Sequence, residues 1–419
     1  MGRSASVVGD VNQDDIVDLV AGAYYDGAGA VYLFFLETSG HVKSHQKISS
    51  SSGSFTGSLT SNARFGISTT GLHDLNEDGT HAIAVGADYM NAVFVIFVND
   101  LGQCVSHQKF ITEGSGNFGV SMDNVADINA DGTVDLLVGA YAAESWQGIA
   151  YVCFLQNSGL LLSYQIISTS QGSFTGVLNP DDRFSAGISR LGDLDQDTFP
   201  DCMIGAFFDD DGGYNTGAVY VVFLDALGHI RSHQKISKTS GGLTVALSDS
   251  ASFGIDIAEL GEVLCEGVRA VAVGAHKFDT DGVQTGAVFI IHLDAFGIVQ
   301  FQQQINTDFG FTASLEVDRF GIAVESLGDL DNSGSVDLLV AALEDDEGGS
   351  NTGSLYVLFG SIMSSVCSEP ERQRGYVIEG NSFTTRTARC ATGYQGSSVE
   401  SITCLPNGQW TRATGKNET

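Results

Sequence analysis

One segment recurs six times along residues 1–360. It has a Phe-Gly start, an acidic loop, an apolar run ending near Gly-Ala, and a second apolar run. The loops begin at Asp10, Asp74, Asp127, Asp193, Glu262 and Asp329, in steps of 64, 53, 66, 69 and 67 residues. A period of this size limits a chain to stacked or radial repeats of one supersecondary unit. Each unit reads as strands. Asp18-Leu-Val-Ala-Gly-Ala23 and Asp135-Leu-Leu-Val-Gly-Ala140 are followed by Ala30-Val-Tyr-Leu-Phe-Phe-Leu36 and Ala218-Val-Tyr-Val-Val-Phe-Leu224. A third run is Ser44-His-Gln-Lys-Ile-Ser49, echoed at Ser106 and Ser232, and a fourth carries Arg64-Phe-Gly-Ile-Ser68. All are short, β-branched and aromatic, with Gly, Asp, Asn and Ser between them. No segment sustains a helical period. Four strands per unit, repeated radially, predict an all-β chain built as a β-propeller of four-stranded blades.

The loops carry the chemistry. Four are complete: Asp10, Asn12, Asp14, Ile16 and Asp18; Asp127, Asn129, Asp131, Thr133 and Asp135; Asp193, Asp195, Asp197, Phe199 and Asp201; Asp329, Asp331, Ser333, Ser335 and Asp337. Side-chain oxygens at positions 1, 3, 5 and 9, with the backbone carbonyl of position 7, can surround a hard cation of Ca²⁺ size. Without a cation, three or four carboxylates in nine residues repel one another. An EF-hand is excluded, because it needs Glu at position 12 and flanking helices. Here position 12 is Ala21, Val138, Ile204 or Val340, inside a strand. The second loop, Asp74, Asn76, Asp78 and Thr80, has Ala82 at position 9 and is a weaker candidate. The fifth has Leu264, Ala270 and an added Arg269, and no metal is expected there.

Composition agrees. Asp and Glu number 51 against 19 Lys and Arg, a formal net charge of −32. That excludes nucleic acid and direct insertion into anionic membrane as expectations, because phosphate binding needs clustered Lys and Arg. No run of 18 apolar residues is present. There is no H-E-x-x-H and no G-x-S-x-G, so no catalytic site is expected. His45, His107 and His233 recur at one repeat position, as a structural feature of one strand would. Asp209-Asp-Asp211 and Asp345-Asp-Glu347 read as hairpin loops.

The Phe-Gly start, the D-x-[ND]-x-[DS]-x-x-x-D loop and the following Gly-Ala resemble the FG-GAP repeat of the integrin α propeller and of related secreted proteins. The resemblance implies Ca²⁺ on the loop positions named above. It also implies a recognition or adhesion protein, at the cell surface or secreted, that binds a protein or glycan partner. The alternative it leaves open is the non-catalytic propeller part of a secreted, phospholipase-like hydrolase. Family propellers have seven blades, and six repeats are visible. Met1-Gly2 stands where Phe65-Gly66 stands in the next repeat, and no strand precedes it. The expectation is a propeller over 1–362 whose closing strands lie upstream of Met1. A closed ring within the chain would overturn it.

The tail, 363–419, carries Cys367, then Cys390 with Gly393-Tyr394, then Cys404 with Trp410. It resembles a sushi (complement control protein) module, a small disulfide-rich β unit whose first cysteine pairs with its third. That implies a Cys367–Cys404 bond, with a partner for Cys390 beyond Thr419. Asn417-Glu-Thr419 is an N-glycosylation sequon, consistent with an extracellular chain.

Overall fold

The computed structural model describes residues 3–360 except 113–115, 266–267, 307–317, 332, 334 and 346–352. Beyond 360 it describes the backbone of three strands, Tyr376–Glu379, Thr385–Cys390 and Glu400–Thr403, in one antiparallel sheet. Cys367 and Cys404 lie outside the described residues.

Six antiparallel meander sheets follow one another, one per repeat. The first runs Ala5–Gly9, Asp18–Ala23, Ala30–Leu36 and Val42–Ser49. Five sheets have four strands, and the sixth has three among the described residues, Phe320–Gly328, Asp337–Ala342 and Ser354–Leu358. The second strands are continuous apolar runs because neighbouring sheets cover both their faces: Asp18–Ala23 and Asp201–Ala206 are buried at every position. Fourth strands such as Val42–Ser49 are largely exposed or half-buried, which places them at the rim.

The repeat signature is a packing device. The Phe at this position is fully buried in five sheets, at Phe65, Phe118, Phe253 and Phe320 of Phe-Gly and at Phe184 of Phe-Ser. Each meets a third-strand aromatic edge to face, as Phe65 does with Phe94 at 5.6 Å and Phe118 with Tyr151 at 5.1 Å. Such pairs add about 0.5–1.5 kcal/mol beyond their burial. The glycine of Gly-Ala faces the next sheet's Phe-Gly. A Cβ on Gly86 would fall on the Gly119 carbonyl, and one on Gly205 on that of Gly254. Neighbouring sheets approach so closely there that no side chain fits.

Around the axis the first strands touch in sequence, and the last touches the first. Every one of the six junctions carries a hydrogen bond between a polar side chain and the neighbouring sheet. Ser6 Oγ donates to the Thr69 carbonyl (2.6 Å), Thr70 Oγ1 to Asp123 (3.1 Å), and the Arg190 N–H to Asp123 (3.0 Å). The Glu259 N–H donates to Ser189 Oγ (3.0 Å) and the Val324 N–H to Asp256 (2.9 Å). The Val7 N–H donates to Glu325 Oε1 at 2.9 Å and joins the sixth sheet to the first. The ring closes on six sheets, so the seventh blade and the upstream closing strands expected from the family's usual count are not needed for closure. The girdle surrounds a polar cavity of about 430 Å³ on the axis.

One repeat position breaks the pattern. The sixth residue of the third strand is a buried Phe in four sheets, at 35, 97, 154 and 223, and His292 in the fifth. His292 is 1% exposed, and neither ring nitrogen has a hydrogen-bond partner. Burial pushes its pKa down from 6.5 to about 4. The unfolded chain takes up the proton at the ordinary value, so stability is lost as pH falls from about 6.5 towards 4. His292→Phe is expected to stabilise the protein by about 1–3 kcal/mol at pH 7 by removing the unsatisfied buried groups. Its advantage over the parent should widen at pH 5. Urea denaturation at the two pH values checks both points.

Candidate metal loops

Each acidic loop joins the first strand of a sheet to the second, so all of them lie at one end of the propeller. The Phe-Gly starts and Gly-Ala ends lie at the other. The loops share one internal geometry. The position-1 carboxylate accepts the N–H groups of positions 5 and 6. For Asp10 these come from Asp14 (2.9 Å) and Asp15 (2.7 Å), for Asp127 from Asp131 and Gly132, and for Asp193 from Asp197 and Thr198. Asp329 accepts from Ser333 at 2.8 Å. The position-5 carboxylate accepts the N–H of position 7 at Ile16, Thr133 and Phe199.

Position 9 does more than a chelating role required. Asp18, Asp135, Asp201 and Asp337 are all fully buried. One oxygen of each accepts the N–H of position 2, at Val11, Ile128, Leu194 and Leu330. The other reaches across the sheet to an N–H at the end of the third strand, at Leu36, Leu155, Leu224 and Gly360. These aspartates pin the loop to the body of the blade. Burial, with a smaller push from nearby loop carboxylates, raises Asp18 to about 6 and Asp135 and Asp201 to about 7. A cation in the loop would oppose that push.

The carboxylates converge most fully in two loops. Oxygens of Asp193, Asp195 and Asp197 lie within 4.8 Å of one another, as do those of Asp329, Asp331 and Asp337. Position 3 supplies the test of fit. Asn12 Oδ1 and Asp195 Oδ1 are buried without any hydrogen-bond partner, each in a loop whose other oxygens are engaged. A buried oxygen without a donor is costly and suits a cation ligand. The donor set of carboxylates, amide oxygen and carbonyl is that of a hard ion. Two loops also hold a basic side chain from the rim strand. Lys43 lies on Asp14 at 2.9 Å, and Arg231 lies on Asp195 (3.0 Å) and Asp197 (2.5 Å).

The two departing repeats differ in structure. The second loop keeps the Asp74 and Asp78 turns but has no pin at Ala82. In the fifth, the first strand runs on through Phe253–Cys265 and pairs Cys265 with Val268, so a hairpin replaces the loop. Arg269 pairs there with Glu259 at 2.7 Å.

Other singled-out groups are structural. His107 and His233 pack on Phe55 (4.9 Å) and Phe174 (5.0 Å), and His45 lies beside Tyr32 and Phe34. Asp209 and Asp211 are tied to the rim strand by Lys235 and Ser237.

The FG-GAP repeat family model matches residues 1–34, and the Sushi repeat (SCR repeat) model matches residues 367–416. The same strand–loop–strand unit recurs in four of the other five sheets. This chain is similar to the FG-GAP repeat over its first sheet, at residues 1–34. Its relatives include the integrin alpha-3 chains of Cricetulus griseus and Mus musculus. The first is 29% identical over 223 residues, covering 50% of this chain and 20% of the relative. The second is 30% identical over 209 residues, covering 46% and 18%. The phosphatidylinositol-glycan-specific phospholipase D of Bos taurus is 32% identical over 169 residues, covering 35% and 19%. The chain thus spans about one fifth of the length of these relatives. No helix among its described residues is long and apolar enough to cross a membrane.

Proposed function

We propose that the chain is a calcium-binding recognition module of an extracellular or cell-surface protein: an integrin α-like propeller over 1–362 followed by a sushi module over 363–419. The observation that carries the metal reading is the pair of buried, partnerless position-3 oxygens, Asn12 Oδ1 and Asp195 Oδ1, inside loops of hard-ion donors. In the four complete loops, positions 1, 3, 5 and 9 and the carbonyl of position 7 would hold Ca²⁺. The ion supplies positive charge that neutralises the carboxylates and fixes the loop. The chain's own residues do the rest: position 9 pins the loop to the blade, and Lys43 and Arg231 offset charge at the first and fourth repeats. One end of the ring is thereby rigid, and the opposite end is free to engage a protein or glycan. Tyr25, Tyr89, Trp146 and Tyr214, all exposed, stand at that opposite end. Exposed Tyr and Trp are the residue types enriched in recognition surfaces.

Equilibrium dialysis against Ca²⁺ checks the ion count. Four ions per chain are expected near millimolar Ca²⁺, falling to three in Asp197→Ala. A chain that takes up none refutes the metal reading. The similarity to the phospholipase D favours a second reading, in which the propeller is the non-catalytic part of a hydrolase. Cleavage of a glycosylphosphatidylinositol by the full-length protein would support it.

A further inference from the structure

The residue before the buried first-strand Phe is arginine in three repeats, at Arg64, Arg183 and Arg319, and the repeats act as controls for one another. Arg64 pairs with Asp88 at 3.0 Å, and Arg319 with Glu344 at 2.9 Å. Both acids stand just after the Gly-Ala position of their own sheet. In the fourth repeat that place holds Phe207 and Phe208. The Arg183 guanidinium carbon lies 4.5 Å from the Phe208 ring centre, 4.8 Å from Trp146, 5.5 Å from Tyr141 and 5.6 Å from Phe207. Its Nε is buried without an acceptor. The fifth repeat adds a second cation, Lys277, with Nζ 5.6 Å from the same Phe208 ring. Neither cation has a carboxylate within ion-pair distance among the described residues. Glu344 is taken by Arg319, and the buried Asp182 turns its carboxylate to the Asn179 N–H at 2.6 Å. Burial and the charges of Arg319 and Arg183 push Lys277 below the usual lysine range, and the Glu344 carboxylate on Arg319 offsets only part of that.

In a chain of net charge −32, two adjacent unpaired cations are the exception. A guanidinium packed among rings with no carboxylate partner keeps N–H donors whose fork geometry fits a carboxylate or sulfate. Trp146, 42% exposed and stacked on Tyr141 at 6.0 Å, offers a flat apolar surface beside that fork. We infer that Arg183 and Lys277, with Trp146, form a binding site for an acidic sugar: the anionic group on the two cations and the sugar ring against the indole. The site lies at the end of the propeller opposite the acidic loops. It rests on the recognition reading above and gives it a ligand class.

Trp146 and Trp410 are the two tryptophans of the chain, so Trp410→Phe leaves one reporter at the site. Its fluorescence is followed in calcium while methyl glucuronide, galactose 6-sulfate, methyl glucoside or sodium acetate is added. The expected result is a saturable change with one or both anionic sugars, the pair separating carboxylate from sulfate. Methyl glucoside and acetate should bind at least about tenfold more weakly. Arg183→Gln and Lys277→Gln should each weaken the anionic sugar by about tenfold or more, the loss typical of a charged hydrogen bond. Lys109→Gln, on the second sheet, should leave it unchanged. No saturation by either anionic sugar, an equal response to acetate, or full binding in both variants overturns the site. Calcium-dependent melting is read on the same sample. A chain that melts higher in calcium but ignores these sugars refutes the acidic-sugar site alone.

Discussion

Asp135→Ala lowers the stability of the propeller by about 3–5 kcal/mol in EDTA as well as in calcium, because it strands two buried N–H groups at roughly 1.5–3 kcal/mol per charged hydrogen bond. Ile128 and Leu155 each donate to this carboxylate at 3.1 Å, and the residue is fully buried. The sequence alone made Asp135 one ligand among five. In the structure it is also the pin between loop and third strand. Asp131→Ala is the contrasting variant. Asp131 is exposed, so its loss should cost within about 0.5 kcal/mol in EDTA and remove only the calcium-dependent increment. Urea unfolding of both variants, with and without calcium, separates the roles. If Asp135→Ala behaved like Asp131→Ala, position 9 would be a ligand and nothing more.

The radial repeat, the strand order and the place of the loops were legible in the sequence, because each rests on periodicity and residue type. Three features were not. The pin at position 9 depends on an N–H some 20 residues away, as from Asp135 to Leu155, which no local spacing reveals. The close approach of Gly86 to the Gly119 carbonyl joins two sheets, so the sequence shows both glycines but not that they meet. Ring closure on six sheets rests on Ser6, Thr70, Asp123, Ser189, Asp256 and Glu325. They differ in type from repeat to repeat and therefore carry no periodic signal. His292 stands on the border: its column reads Phe in four other repeats, but only the packed structure shows a histidine without partners.

Calcium has the largest expected effect. With roughly 1 mM Ca²⁺ and Kd of about 0.1 mM, each loop adds about 1.4 kcal/mol, so four add about 6 kcal/mol. Typical total stabilities are about 5–15 kcal/mol, so the ion-free ring would be marginal. The deciding measurement is the thermal melt of the full chain in excess EDTA, in millimolar Ca²⁺ and in millimolar Mg²⁺. The account predicts a rise of roughly 10 °C or more in Ca²⁺ over EDTA, on the usual scale of a few degrees per kcal/mol, and a much smaller rise in Mg²⁺. One cooperative melt at the same temperature in all three conditions would contradict it.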